Sequence, residues 1–322
     1  MEGPLLRRDR PPAGRTYPAP TLRRPLALLL AAGCLSAAAA AQTQAVLLPD
    51  QDTYVQDTNP ASNFGADDLW FGRGSFFGLG NIRTLVQFDF SRFQLDPRLI
   101  KSASFNAYQY ATEPAAGGLP CELHSATAPW NEMTVTWNNQ PAYDAQVWAA
   151  ADVGDSFGVG LVSWDVTELV RAQVDGTIPN HGWLFRMQFE TAGASRLGYF
   201  YSTETAPGAL FAPLLSVELY EMLLTATPLA AGQAATVMVA GARPGRRVVF
   251  AFSTTGLGTT PVPQLNVTLD LDAARPLASD FAGGTGHASR RFRVPAAALG
   301  RNYWLQACSL GKLSNVVSGV VQ

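Results

Sequence analysis

The chain runs to 322 residues, room for two ordinary domains, and 47 % of them are hydrophobic, too many for a disordered polymer. Only 15 % are charged and the formal net charge is −2. With no dense basic run in the folded part, this excludes a nucleic-acid partner, which needs a basic patch for phosphate.

The N-terminus carries Arg7, Arg8, Arg10, Arg15, Arg23 and Arg24, then an apolar run from Leu26 to Leu35 and the small residues Ala37 to Ala41. This is the pattern of a secretory signal peptide over residues 1–41, cut after Ala41, and it predicts a secreted or cell-surface protein. The apolar run is too short to span a bilayer, so no membrane span is expected after cleavage. The chain from Gln42 onward carries 17 basic and 23 acidic residues, a net of −6. Three cysteines exclude a disulfide scaffold, and Cys121 and Cys308, in different domains, read as buried free thiols, the alternative being a disulfide between them in an oxidising compartment.

From residue 45 the chain reads as short strands between turns. In Thr84-Leu85-Val86-Gln87-Phe88-Asp89-Phe90 the apolar residues recur with a period of two, as in a half-buried strand. Similar runs fall at Leu69–Gly72, Ser102–Tyr110, Cys121–Ser125, Thr134–Trp137, Leu161–Asp165, Gly182–Phe189, Tyr199–Ser202 and Leu214–Leu219. One short helix is predicted, capped by Thr167, with Leu169 and Val170 inward and Gly176 past its end. Trp137, Trp164 and Trp183 lie inside these patterns and are assigned to packing. Near residue 220 aromatic residues thin out, and about seven further strands are expected over 221–322, as in an immunoglobulin-like sandwich. The fold class is therefore all-β: a jelly-roll sandwich over 42–220 and a smaller sandwich after it.

Several stretches carry a resemblance. Asp52-Thr53-Tyr54-Val55, Asn63-Phe64-Gly65, Leu85-Val86-Gln87-Phe88-Asp89-Phe90-Ser91 and Thr136-Trp137-Asn138-Asn139-Gln140-Pro141-Ala142 occur in order. Trp164-Asp165-Val166-Thr167, Tyr201-Ser202-Thr203-Glu204 and Ala212-Pro213-Leu214-Leu215-Ser216-Val217 follow them. On these motifs the segment Val46–Leu219 resembles the DNRLRE family of secreted bacterial jelly-roll domains, relatives of carbohydrate-binding modules. The resemblance implies a non-catalytic domain that binds polysaccharide, in some members a uronate-rich one. It also implies a structural calcium held by carboxylates near the start and end of the domain, for which Asp50, Asp52 and Glu204 are the candidates.

Sugar recognition needs flat aromatic faces and planar polar groups, and a uronate adds a call for arginine, whose fork meets a carboxylate bidentately. The stretch Trp70 to Arg83 offers Arg73 and Arg83 around a glycine-rich loop tipped by Phe76 and Phe77. Either these arginines form a binding face, or the phenylalanines cover the barrel's edge while the arginines are solvated. In Arg196-Leu197-Gly198-Tyr199-Phe200-Tyr201 the two tyrosines share a face with Phe200 opposite. Arg196, Tyr199 and Tyr201 are thus candidates for one sugar site, the alternative being two tyrosines half-buried between sheets. No catalytic constellation assembles: there is no Gly-x-Ser-x-Gly elbow, no His-Glu-x-x-His and no Cys-x-x-Cys. A structural or adhesive surface protein without specific glycan affinity is the competing expectation.

Overall fold

Strands with one apolar face need a partner face, and here they find it by curling one antiparallel sheet around a single core. The computed structural model describes residues 44–74, 78–92, 96–113, 119–153, 159–190 and 196–322, with the backbone alone at 92, 113, 119 and 196. The expected signal segment 1–41 and the loop-tip residues Phe76 and Phe77 lie outside the described residues.

The first sandwich comprises β1 (Gln44–Leu47), β2 (Gln51–Gln56), β3 (Leu69–Gly74), β4 (Gly80–Gln87), β5 (Ile100–Glu113), β6 (Leu119–Ser125), β7 (Ala149–Val153), β8 (Gly160–Asp165), α1 (Thr167–Val174), β9 (Trp183–Met187), β10 (Arg196–Phe200) and β11 (Leu214–Leu219). Its order is β1-β11-β5-β10-β3-β4-β9-β6-β7, with β2 on β4 and β8 on β5. The inward rings are large. Phe71, Phe88, Phe105, Trp164, Trp183, Phe185 and Phe200 are all fully buried, and each contributes about 2 kcal/mol by area removed from water. All three tryptophans pack as expected: Trp164 and Trp183 in the core, and Trp137, half-buried, against Val55, Leu85 and Leu184 on the outer face.

Two local expectations are corrected. The run Thr134–Trp137 is a turn, not a strand. Side-chain amides satisfy its backbone: Thr136 N–H donates to Asn139 Oδ1 at 2.6 Å, and Asn139 Nδ2 donates to the Thr134 carbonyl at 3.1 Å. Such local bonds compete with strand pairing. The turn lays Trp130, Val135, Trp137 and Tyr143 over Val55, Leu85 and Leu184, covering the outer face of β2, β4 and β9. Thr167 is the first helical residue rather than the cap, which is Val166. Its hydroxyl donates to Asp165 Oδ1 at 2.6 Å and accepts from Ala103 N–H at 2.9 Å, tying α1 to β5. Leu169 and Val170 face inward as expected.

The remaining chain forms β12 (Leu223–Ala226), β13 (Ala234–Ala240), β14 (Arg247–Ser253), β15 (Leu257–Val262), β16 (Val267–Leu271), β17 (Arg275–Phe281), β18 (Ala288–Arg293), β19 (Asn302–Ser309), β20 (Lys312–Leu313) and β21 (Val317–Val320). Sheet β12-β13-β18 packs on sheet β17-β14-β19, which also carries β20 and β21, and β15-β16 form a separate ribbon. Val237, Val239, Val248, Phe250, Leu305 and Ala307 fill the space between them. Among the described residues no helix is long and apolar enough to cross a membrane.

Candidate functional site

Outward positions of a strand are normally polar, but β5 and β10 carry tyrosines at several of theirs. Tyr108 and Tyr110 on β5, Tyr199 on β10, Tyr201 just beyond it and Phe211 form a half-buried row. A β-bulge sits here, since Tyr199 pairs with Ala111 while Phe200 pairs with Gln109, leaving Tyr110 as the extra residue. Ring centroids along the row lie 6.3 Å apart for Tyr199–Tyr110, 4.7 Å for Tyr110–Tyr201, 6.2 Å for Tyr201–Tyr108 and 4.8 Å for Tyr108–Phe211. Behind it, Trp70 meets Tyr199 edge-on at 5.2 Å and stacks on Tyr54 at 4.9 Å, and Tyr54 stacks on Phe64 at 4.4 Å. Those inner rings pack with Ile82 and Leu197 and anchor the row from one end.

Polar groups and exposed apolar ones border the row. The Tyr110 hydroxyl donates a short hydrogen bond to Asp68 Oδ2. Burial, and then this bond to a carboxylate, hold the phenol well above the ordinary tyrosine range. Ser163 Oγ donates to Asn106 Oδ1 at 2.6 Å beside the row. Leu161, directly across from Tyr108 on β8, is 60 % exposed and Leu210 is 85 % exposed. The surface therefore combines flat rings with hydroxyl and amide partners.

Arg73 and Arg83 stand elsewhere. Arg73 has the parity of Leu69 and Phe71, which face the core, so it lies on the opposite face of β3 from Trp70. The backbone of Arg196 is paired with Arg73, in phase with Phe200 and out of phase with the two tyrosines, and the Arg196 side chain lies outside the described residues. Arg83 is fully engaged. Its Nε and Nη2 donate to Glu190 at 2.7 and 2.8 Å, Nη1 donates to Gln140 Oε1 at 3.2 Å, and its Cζ lies 4.6 Å above the Trp137 ring. Of the five residues expected to bind sugar, Tyr199 and Tyr201 are brought together, and Tyr110, Tyr108 and Phe211 join them. Tyr108 and Tyr110 lay within an expected strand, and their period of two was the available signal.

A second cluster includes the turn that follows Tyr201. Carboxylate oxygens of Asp52, Glu132 and Glu204 come within 4.8 Å of one another. Asp52 is 1 % exposed. Its Oδ2 accepts from Thr203 N–H at 3.0 Å, while its buried Oδ1 has no hydrogen-bond partner. Burial, and then the neighbouring Glu204, push the Asp52 carboxyl up to about 8. An orphaned buried carboxylate oxygen facing two further carboxylates fits a hard divalent cation that takes oxygen ligands. Asp50 is not in this cluster: its Oδ2 accepts from Asp89 N–H at 2.6 Å, and Glu132 stands in the place expected for it. Asn63-Phe64-Gly65 gains a physical role here. Asn63 Nδ2 donates to the carbonyls of Glu132 and Val135 at 2.7 and 2.8 Å. At Gly65 a Cβ would lie 2.6 Å from the Glu132 carbonyl oxygen, so no side chain fits.

Comparison with known proteins bears on this face. The model of the family described as Carbohydrate-binding module family 96 matches residues 43–210, over half of the chain, and the chain belongs to that family. The match supports the carbohydrate-binding-module character of the segment, and its members are binding modules; the DNRLRE name stays a resemblance. No curated protein matches the chain. Among solved structures, red sea bream transglutaminase is similar at 14 % identity and a TM-score of 0.20, over 80 % of this chain and 31 % of that one. The chain thus spans less than a third of that protein.

Proposed function

We propose that the protein is an exported, non-catalytic polysaccharide-binding protein that lays a sugar chain along the row Tyr199–Tyr110–Tyr201–Tyr108–Phe211. The single observation that carries this is the half-buried aromatic row on the outward face of β5 and β10, within the segment matched by the carbohydrate-binding family. Ring faces supply apolar contact for pyranose rings, and Asp68, Asn106 and Ser163 supply partners for hydroxyls. No arginine among the described residues stands on this face, so its binding is a stacking recognition with little dependence on salt, and a uronate is not required. The family likeness supports glycan binding in general, and the net charge of the exported chain, −6, speaks against an acidic polymer at this face.

We further propose that calcium occupies the pocket of Asp52, Glu132 and Glu204. It would pin β2, the loop bearing Glu132 and the turn after Tyr201 to one point, and so rigidify the chain that follows Tyr201. The metal supplies positive charge and coordination there; binding of sugar rests on the aromatic side chains.

Affinity electrophoresis of the full chain in gels containing soluble xylan, a soluble cellulose derivative, pectin or alginate tests this. Retardation on at least one polymer, lost in Tyr110→Ala/Tyr201→Ala, is the expected result. No retardation on any polymer overturns the reading in favour of a structural or adhesive role.

A further inference from the structure

The two sandwiches differ in charge. Residues 42–220 carry nineteen acidic and eight basic side chains, a net of −11. Residues 221–322 carry four acidic and nine basic ones, a net of +5, and eight of the nine are arginine. The use made of these cations differs as well. In the first sandwich Arg83, Arg98, Lys101, Arg171 and Arg186 all lie against carboxylates. In the second, Arg290 is 3.6 Å from Asp280, while Arg246, Arg247, Arg291, Arg293 and Arg301 are exposed and none has an acidic partner among the described residues.

Arg247, Arg290, Arg291 and Arg293 gather around β17 and β18. β18 is an outer strand, paired only with β13 in its sheet. Arg291 and Arg293 leave it on the same face, about 7 Å apart by strand rise. Arg290, of opposite parity, reaches across to β17, where its Nε donates to the Ser279 carbonyl at 2.8 Å. Arg247 on β14 donates from Nη2 to Ser279 Oγ at 3.2 Å, so two guanidiniums converge on one serine. At the other end Arg293 donates from Nε to the Gly232 carbonyl at 3.2 Å, and it borders the same groove as Arg301. Apart from the Arg290–Asp280 contact, the partners are neutral. They orient the guanidiniums without cancelling their charge, which is the preparation that binding a polyanion calls for.

We propose that this arginine edge binds a linear carboxylated polysaccharide, making the second sandwich a second and electrostatic glycan-binding module. Three observations choose this partner. The cations are forks suited to bidentate carboxylate contacts rather than the point charges of lysine. Arg291 and Arg293 follow the β18 edge in a line, as a linear polymer requires. They also share a chain with a module of a carbohydrate-binding family. The proposal extends the glycan reading to another domain and does not depend on the aromatic row. Two modules on one polymer raise the effective concentration at each site.

The test is affinity electrophoresis of the full chain in polygalacturonate gels and in neutral xylan gels, comparing wild type, Arg291→Glu/Arg293→Glu, Arg98→Glu and Tyr110→Ala/Tyr201→Ala. Polygalacturonate affinity should fall at least tenfold in the Arg291/Arg293 variant, stay unchanged in Arg98→Glu, and drop steeply in wild type between about 50 and 200 mM salt. Retention on xylan should ignore Arg291 and Arg293 and follow the tyrosines, so failure of the aromatic row and failure of the arginine edge read out separately. An Arg291→Gln/Arg293→Gln variant should lose less than the charge reversal, and unchanged melting shows that both variants fold. Polygalacturonate retention indifferent to Arg291 and Arg293 overturns the proposal. So does equal retention by duplex DNA or anionic vesicles, or salt-sensitive self-association in sedimentation without retention on the polymer.

Discussion

Arg83 grips Glu190 with both prongs of its guanidinium, at 2.7 and 2.8 Å, and both side chains are more than four-fifths buried. The pair links the middle of β4 to the turn that follows β9. Through Gln140 and Trp137 it also fastens the turn that covers the outer sheet face. Removing Arg83 leaves the buried Glu190 carboxylate with only the longer 3.6 Å contact to Arg186. Arg83→Ala is therefore expected to cost about 2–4 kcal/mol of stability and to leave glycan affinity of the folded fraction unchanged. Denaturant unfolding beside affinity electrophoresis checks this: a large affinity loss at unaltered stability would return Arg83 to the binding surface.

At Tyr110 the ring and the hydroxyl do different work. The ring sits 4.7 Å from that of Tyr201, and the hydroxyl donates to Asp68. Tyr110→Ala should reduce affinity for the retaining polysaccharide at least tenfold, about 1.4 kcal/mol or more, as expected for a central aromatic contact. Tyr110→Phe should keep most of the affinity, and Met133→Ala, at a residue 61 % exposed elsewhere, should change nothing. Isothermal titration with an oligosaccharide of that polymer gives the three numbers. Equal losses for Ala and Phe would transfer the role from the ring to the Asp68 contact.

Much of this was legible in the chain. Periodicity of two placed Tyr199 and Tyr201 opposite Phe200, and Leu214–Leu219 is the strand its alternation implied. The turn at Thr134–Trp137 was not legible, because alternating side chains look alike whether a neighbouring strand or Asn131 and Asn139 satisfy the backbone. Glu132 escaped for a related reason: it reaches Asp52 across 80 residues of sequence, and only the packed loop shows that. In the second sandwich β15 and β17 carry Pro261 and Pro276, which mask strand character on edges where proline is tolerated. The arginine edge was diluted in the whole-chain charge by the acidic first sandwich.

Calcium should raise the thermal midpoint relative to chelator, since a ligand bound only by the folded state stabilises it. Asp52→Asn and Glu132→Gln should abolish that rise, and Asp50→Asn should keep it. The pH dependence without metal follows from Asp52. Its folded value is raised to about 8 from an ordinary 3.8, by burial first and Glu204 second. Between those values the folded state holds a proton that the unfolded state has released, so stability falls as pH rises from about 4 to about 8. Asp52→Asn should flatten this slope in chelator. Melting curves across pH with calcium or chelator provide the check, and a midpoint indifferent to calcium in wild type would dismiss the metal.

Cys121 and Cys308 offer a last check on packing. Cys121 is fully buried in the first core and Cys308 is 1 % exposed in the second sandwich, and both are free. Burial pushes both thiols up, that of Cys308 to about 11, so neither carries a thiolate at pH 8. A chain beginning at Gln42 should release no chromophore from Ellman's reagent when native and two equivalents in guanidinium without reductant. Rapid reaction of the native protein would mean that one core opens at low cost. No reaction even in guanidinium would mean that Cys121 and Cys308 are oxidised, and the packing assigned to both would then need revision.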